Sequence, residues 1–229
     1  VILKKEKIFV HHEHRILIRY TLVEAHSKTT LKFKPFLAFR KVTTCTHENN
    51  DVNKSYSEVK NGVAMSLYPG YPNLFMQFSK QPEFSYSPDW YRNFEYRKER
   101  ERGYDYSEDL YVPGIFEIPM KKGESIVFSA GLSEIETDTI CDLFEDEVVN
   151  RTPRDSFKHC LINAAHQFYN KQGDRSYLIA GYPWYNKQRA RDLFVSLPGL
   201  TLSIDRREDF ESVMETAVEK IKAFIESES

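Results

Sequence analysis

Between Ile8 and Ala130 apolar residues recur at every second position in short runs, and turn-forming pairs separate the runs. Alternation of that kind puts successive side chains on opposite faces of an extended strand. Ile16, Ile18, Tyr20 and Leu22 share one face within residues 8–23. Leu31, Phe33, Pro35, Leu37 and Phe39 do so within 30–39, with Lys32 and Lys34 opposite. Asn61-Gly62 reads as a hairpin-type turn between 56–59 and 63–67. Pro69-Gly70 and Pro72-Asn73 mark further turns before a short strand at 74–78, and Lys122-Gly123 joins 114–119 to 125–130 as another hairpin. Short strands in this number bury their apolar faces as a sandwich or a barrel, and an antiparallel β-sandwich is expected.

Two stretches depart from the rhythm. Residues 79–113 hold Trp90, Tyr91, Phe94, Tyr96, Tyr104, Tyr106 and Tyr111 among mixed charges. They read either as a functional aromatic insertion or as a loop carrying a short charged helix near 94–102. From about Thr137 the period changes. Ile140, Phe144 and Val148 fall at helical spacing. Thr152-Pro153 then opens a second helix, with Pro at its first position and the stripe Phe157, Cys160, Leu161, Ala164, Phe168. A last helix, capped within 205–208, carries Phe210, Val213, Met214, Ala217, Ile221 and Phe224. Strands first and helices after give a mainly β chain with C-terminal helices. The expected division is a β-sandwich at 1–136, a helical linker at 137–170 and a further helical unit at 171–229.

Composition excludes several classes. A net charge of −2, with neither sign dominant, argues against a general nucleic-acid or anionic-membrane binder. No apolar run approaches a membrane span, and the N-terminus has no signal-peptide pattern. The chain opens at Val1 inside strand-like sequence, as expected of a piece cut from something longer. Cys45, Cys141 and Cys160 match no zinc spacing, and an odd count argues against a disulfide framework, so a reduced, cytoplasmic setting is expected.

Few residues offer chemistry on their own. The run His11, His12, Glu13, His14 puts two ligands on each face of a strand, too few for a zinc site. Asp105, Glu108 and Asp109 lie among aromatics; sugar hydrolysis needs two carboxyl groups, but carboxylates in a loop more often simply carry solvated charge. The 164–202 stretch is more informative. A helix ends, a loop follows at Gly173, the chain extends through 177–180, turns at Gly181-Tyr182-Pro183 and enters a helix near Arg191-Asp192. Trp184 and Tyr185 lie in that turn. Aromatic faces stack on sugar rings, while Arg and Asp present a donor fork and an acceptor to neighbouring hydroxyls. The alternative is an Asp that caps a helix and a Trp that fills a core.

The block Ala180, Gly181, Tyr182, Pro183, Trp184, then Arg191-Asp192, then Leu197, Pro198, Gly199, Leu200 resembles the start of the catalytic domain in glycogen debranching enzymes of the amylo-α-1,6-glucosidase type. Tyr20–Ala25 and Pro88–Tyr91 resemble stretches of that family's N-terminal β-domain. The resemblance implies that the last residues begin an α/α toroid of paired helices. It also implies hydrolysis of α-1,6-linked glucose in glycogen or other branched α-glucan by two carboxylates, without metal or cofactor. Trp184, Arg191 and Asp192 would then bind the terminal glucose. The family's Trp-Gly ahead of Arg-Asp is Arg189-Ala190 here, with one extra residue after Trp184. The catalytic carboxylates of such toroids come from later helix–helix loops, so none is assigned within 1–229. On this reading the chain alone is inactive, and helices lacking their toroid neighbours self-associate. The rival is a non-catalytic carbohydrate-binding or structural β-sandwich module, for which an aromatic loop is a suitable platform.

Overall fold

The computed structural model describes residues 1–11, 13–173, 175–181, 185 and 187–228. The chain forms two compact units, Val1–Asn150 and Arg151–Ser229. Among the described residues no helix is long and apolar enough to cross a membrane.

The first unit is an antiparallel β-sandwich. Its strands are β1 (Ile2–Phe9), β2 (Arg15–Glu24), β3 (Thr29–Phe33), β4 (Ser57–Val59), β5 (Gly62–Met65), β6 (Leu74–Phe78), β7 (Glu83–Glu95), β8 (Ser107–Met120) and β9 (Ser125–Gly131). Six of them form one sheet in the order β1-β2-β9-β6-β5-β4, and β3-β8-β7 form the other. The alternation noted above fixes which side chains meet between the sheets. Leu22, Met76, Phe78, Ile126 and Phe128 come from the larger sheet; Trp90, Tyr111, Phe116, Ile118 and Met120 come from the smaller. Phe78 is the hub, with its ring centroid 4.9 Å from Phe128, 5.1 Å from Phe116 and 5.6 Å from Phe33. Edge and tilted contacts at these distances stabilise beyond what the buried ring area alone contributes.

The outer face of the larger sheet is covered by a helix, α2 (Ile140–Val149). Ile140 and Phe144 pack on Leu17 and Val127, with Ile8 and Val10 alongside. Burying two such side chains contributes about 3–6 kcal/mol as an upper bound. β2 and β9 therefore each bury an apolar side chain, Leu17 and Val127, on this outer face as well as those on the inner one. Arg19 adds a guanidinium 4.2 Å from the Phe144 ring centre and bonds Glu6 (2.9 Å) and Glu145. The fully buried Gln77 ties the connection before α2 to the sheet. Its Nε2 donates to the carbonyls of Ile135 (2.9 Å) and Lys60 (3.1 Å), and its Oε1 accepts from Ile135 N (2.9 Å).

Three expectations change in this unit. The Lys122-Gly123 turn does not make a hairpin, because β8 and β9 lie in different sheets. Both carry apolar side chains on the face turned to the shared core, so the turn lifts the chain across it. The 79–113 stretch is not an irregular insertion. It is the long hairpin of β7 and β8, tipped by the short helix α1 (Arg97–Glu101), with register shifts at 86–89 and 91–94. The Asn61 turn does form, but Val59 pairs with Gly62, so its two loop residues are Lys60 and Asn61, the latter at φ 52°. Gly62 is already in the strand. A Cβ there would sit 2.0 Å from the carbonyl oxygen of Met76 on β6, so only glycine permits the pairing.

The second unit begins with α3 (Phe157–Phe168). The expected start at Thr152-Pro153 moves to 157, because Ser156 Oγ accepts the His159 amide (3.2 Å) and so caps the helix. β10 (Tyr169–Gln172) and β11 (Arg175–Leu178) pair antiparallel around Gly173, at φ 60°. Helices α4 (Ala190–Leu200) and α5 (Arg207–Glu228) follow. Leu178, Leu193, Leu197, Val213 and Ala217 form the core, joined by Phe168, Phe210 and Met214. The stripe of α5 divides along its length. Its first half is in this core, while Phe224 is 64% exposed and Ile225 61%.

Candidate functional site

Of the three sugar-binding candidates, Arg191 and Asp192 occupy the first turn of α4, and Trp184 lies outside the described residues. Gly181 and Tyr185 exchange two backbone bonds, Gly181 N to Tyr185 O (3.0 Å) and Tyr185 N to Gly181 O (2.8 Å), which brings Tyr185 back toward the helix entrance. The Arg189 guanidinium stands 4.8 Å from the Tyr185 ring centre. That pairing of cation and aromatic face was not anticipated from sequence, where Arg189 counted only as a departure from Trp-Gly. Asp192 Oδ2 is 3.9 Å from Arg189 Nη1, so the acid's nearest described cation is Arg189 and not Arg191.

Asp192 does not cap the helix. The capping position is Arg189, extended at φ −126° and ψ 122° and without a side-chain capping bond. Asp192 sits three residues further on, where a negative charge is favoured by the helix dipole. It and Tyr185 are both about half exposed. The rim of the α4 N-terminus thus presents an aromatic face, two guanidinium forks, a carboxylate and the first helix amides, which have no partner within the helix. The forks and amides of this rim can donate hydrogen bonds, and the acid can accept them. Lys220, whose Nζ donates to Gln188 Oε1 (2.7 Å), lies beside it.

The carboxylates at 105–109 have a different role. Glu108 is fully buried. Arg40 holds it through two nitrogens, with Nη2 2.9 Å from Oε2. Tyr96 Oη donates to Oε2 (2.6 Å), and Thr46 Oγ1 to Oε1 (3.2 Å). Burial pushes the Glu108 carboxyl up, but the Arg40 fork and the Tyr96 hydroxyl outweigh it, and the net shift is downward. Burial and that same bond raise Tyr96, which therefore stays protonated as a donor. Asp109 accepts from the amides of Glu48 (2.9 Å) and Asn93 (2.8 Å), which hold its carboxyl below the usual range. A glycosidase acid must hold its proton near neutral pH. These two groups do the reverse; they clamp the 40–48 segment to the β7–β8 hairpin.

The histidine run is also structural where it is described. His11 contacts Glu147 through its amide (3.0 Å) and Nδ1 (3.2 Å), and Glu13 accepts from Arg15 Nε (3.0 Å). Among the described residues no group of three or more His, Cys, Asp or Glu is placed to hold a metal ion. Cys45, Cys141 and Cys160 are free thiols.

Comparison with known families gives two matches. The family described as glycogen debranching enzyme N terminal matches residues 1–127, and that described as amylo-α-1,6-glucosidase matches residues 161–225. No curated protein and no solved structure gave a significant match.

Proposed function

The chain belongs to the glycogen debranching enzyme family, and from that premise we propose that it is part of a glycosidase that hydrolyses α-1,6-glucosidic branch linkages in glycogen or maltodextrins. One observation carries the reading: the two family matches follow each other in the order β-domain, then glucosidase, and the second spans Arg191 and Asp192. In this proposal the α4 rim is a terminal-glucose subsite. Asp192 and Arg191 fix ring hydroxyls, and Trp184 stacks on the sugar. Tyr185, with Arg189 over its ring, supplies an aromatic face in place of the family's Trp.

The reaction needs an acid that protonates the glycosidic oxygen and a carboxylate that activates water or attacks the sugar. Neither role is assigned to a residue of this chain. Glu108 and Asp109 are held ionised by their partners. α4 and α5 are read as the first helices of an α/α toroid, whose further loops supply the two carboxylates. The exposed Phe224, Ile225 and Val195 are the faces that such neighbours would cover. In their absence we expect self-association. The glucan is the expected partner, with no part for nucleic acid or membrane, and the free thiols fit a cytoplasmic setting.

The test is glucose release from a branched limit dextrin. The protein of residues 1–229 should release none, and the same residues joined to a complete toroid should release glucose. Sustained release by the chain alone would overturn the assignment of catalysis to other residues. A complete enzyme inert on α-1,6 branches would overturn the function.

A further inference from the structure

At one side of the sandwich, β4 borders the six-stranded sheet and β7 borders the three-stranded one. Where they approach lies a pocket of about 190 Å³, lined chiefly by Tyr56, Glu58, Val63, Gln81, Pro82 and Phe84. Sites for drug-sized ligands run to roughly 300–1,000 Å³, so this one accommodates a single small ring. One wall is aromatic. Tyr56 meets Phe84 edge-on at 5.4 Å. It continues outward to Tyr86, whose ring is 5.0 Å away and tilted by 34°. The Tyr86 hydroxyl donates to the Lys54 carbonyl (2.7 Å), which fixes that ring at the surface.

The polar side of the pocket is uncommitted. Among the described residues neither the Glu58 carboxylate nor the Tyr56 hydroxyl has an ion-pair or hydrogen-bond partner. Gln81 donates from Nε2 to its neighbour Pro82 (3.1 Å), leaving Oε1 to accept. The wall thus offers two acceptors and one group that both gives and takes. No lysine or arginine lines it, so an anion is disfavoured. A neutral ring with apolar C–H faces and outward hydroxyls satisfies both walls.

We infer that this edge pocket is a non-catalytic subsite for a terminal glucose residue of an α-glucan chain, with the Tyr86 ring supporting the next residue. The inference rests on the proposed action on glycogen for the identity of the sugar, and on unit 1 alone for the geometry. It gives the sandwich a role of its own, to hold one branch of the polymer while another is processed.

Amide chemical-shift mapping of the ¹⁵N-labelled chain during titration with maltoheptaose tests it. Shifts are expected at Tyr56, Glu58, Gly62, Gln81 and Phe84. The Glu58→Ala/Gln81→Ala variant changes only exposed side chains and should fold normally, yet bind at least about tenfold more weakly, as loss of a charged hydrogen-bond acceptor implies. Arg191→Ala should leave these shifts unchanged. Wild-type affinity in the double variant, or an equal response to cellohexaose, would overturn the inference. Shifts confined to 185–192 would overturn it while leaving the proposed function standing. No response anywhere would count against both.

Discussion

Removing Arg40 should destabilise the sandwich in a way that depends on pH. Arg40→Met strands a carboxylate, Glu108, whose side chain has no exposed surface. Breaking a buried pair costs about 3–5 kcal/mol, because the remaining charge is left uncompensated. Here Tyr96 (2.6 Å) and Thr46 (3.2 Å) still donate to the acid, which places the cost at about 3 kcal/mol, the lower end of that range. For a unit of this size each kcal/mol moves the melting temperature by about 2–4 °C, so a fall of about 6–12 °C is expected at pH 7. The pH sign follows from Glu108. Its folded pKa is depressed in the wild type, so the pair's contribution is complete above the unfolded value of 4.5 and is lost as pH falls through the folded one. In the variant, burial is opposed only by the Tyr96 and Thr46 bonds, so the carboxyl should rise from its wild-type position. The penalty then shrinks as the group takes up a proton, and the gap between the proteins should narrow from pH 7 to pH 5. Trp90 reports on this unit; a Trp184→Phe background leaves it as the sole tryptophan, read by fluorescence during melting. The Arg40→Met/Glu108→Gln double variant should be less destabilised than the sum of the two singles by about 1 kcal/mol or more. A single variant within 1 °C of wild type, or strictly additive singles, would refute the buried-pair argument.

Three further outcomes are expected. In a complete enzyme, Asp192→Asn should lower kcat/KM on a branched dextrin by roughly 10²-fold, about 3 kcal/mol, while folding changes by no more than about 0.5 kcal/mol of helix-dipole energy; unchanged kinetics would remove Asp192 from the subsite. Gly62→Val forces a side chain against the β6 backbone and should cost at least about 3 kcal/mol, seen as lost soluble yield or a fall in melting temperature, since overpacking at a rigid neighbour has no cheap relaxation. Gln77→Leu leaves the Ile135 amide and carbonyl without partners and should cost about 2–3 kcal/mol, with faster hydrogen exchange at Ile135 as the local signature.

Much of the sandwich was legible because its strands are half-buried, and a half-buried strand writes its geometry as alternation. The alternation of Ile16, Ile18, Tyr20 and Leu22 gave β2, and Asn61 gave the β4–β5 turn to within one residue. What alternation cannot say is which sheet a strand joins. Phe116, Ile118, Ile126 and Phe128 face one core from opposite sides, and a hairpin between them would have shown the same pattern. The β7–β8 hairpin was hidden by its exposed edge strand, where Ser85, Tyr86 and Ser87 obey no period, and by two register shifts. At the α4 rim the Arg191-Asp192 pair was readable as a motif. The stacking of Arg189 on Tyr185 was not, since it depends on the bridge between Gly181 and Tyr185.

The position of β9 has a consequence for how the protein is made. β9 is the last strand of the sandwich to leave the ribosome, yet it stands between β2 and β6, pairing Arg15 with Gly131 and Phe75 with the same residue. Until residue 131 emerges, the β1–β2 hairpin and the β4–β5–β6 meander are separate pieces, each with an open apolar edge. Sequence separations this large slow folding, and unpaired edges invite other chains. The nascent sandwich is thus exposed for nearly the whole of its synthesis and closes in one late step. A stalled chain ending at residue 120 should accordingly be protease-sensitive and bind chaperones, while one extended far enough to release residue 150 from the exit tunnel should be resistant.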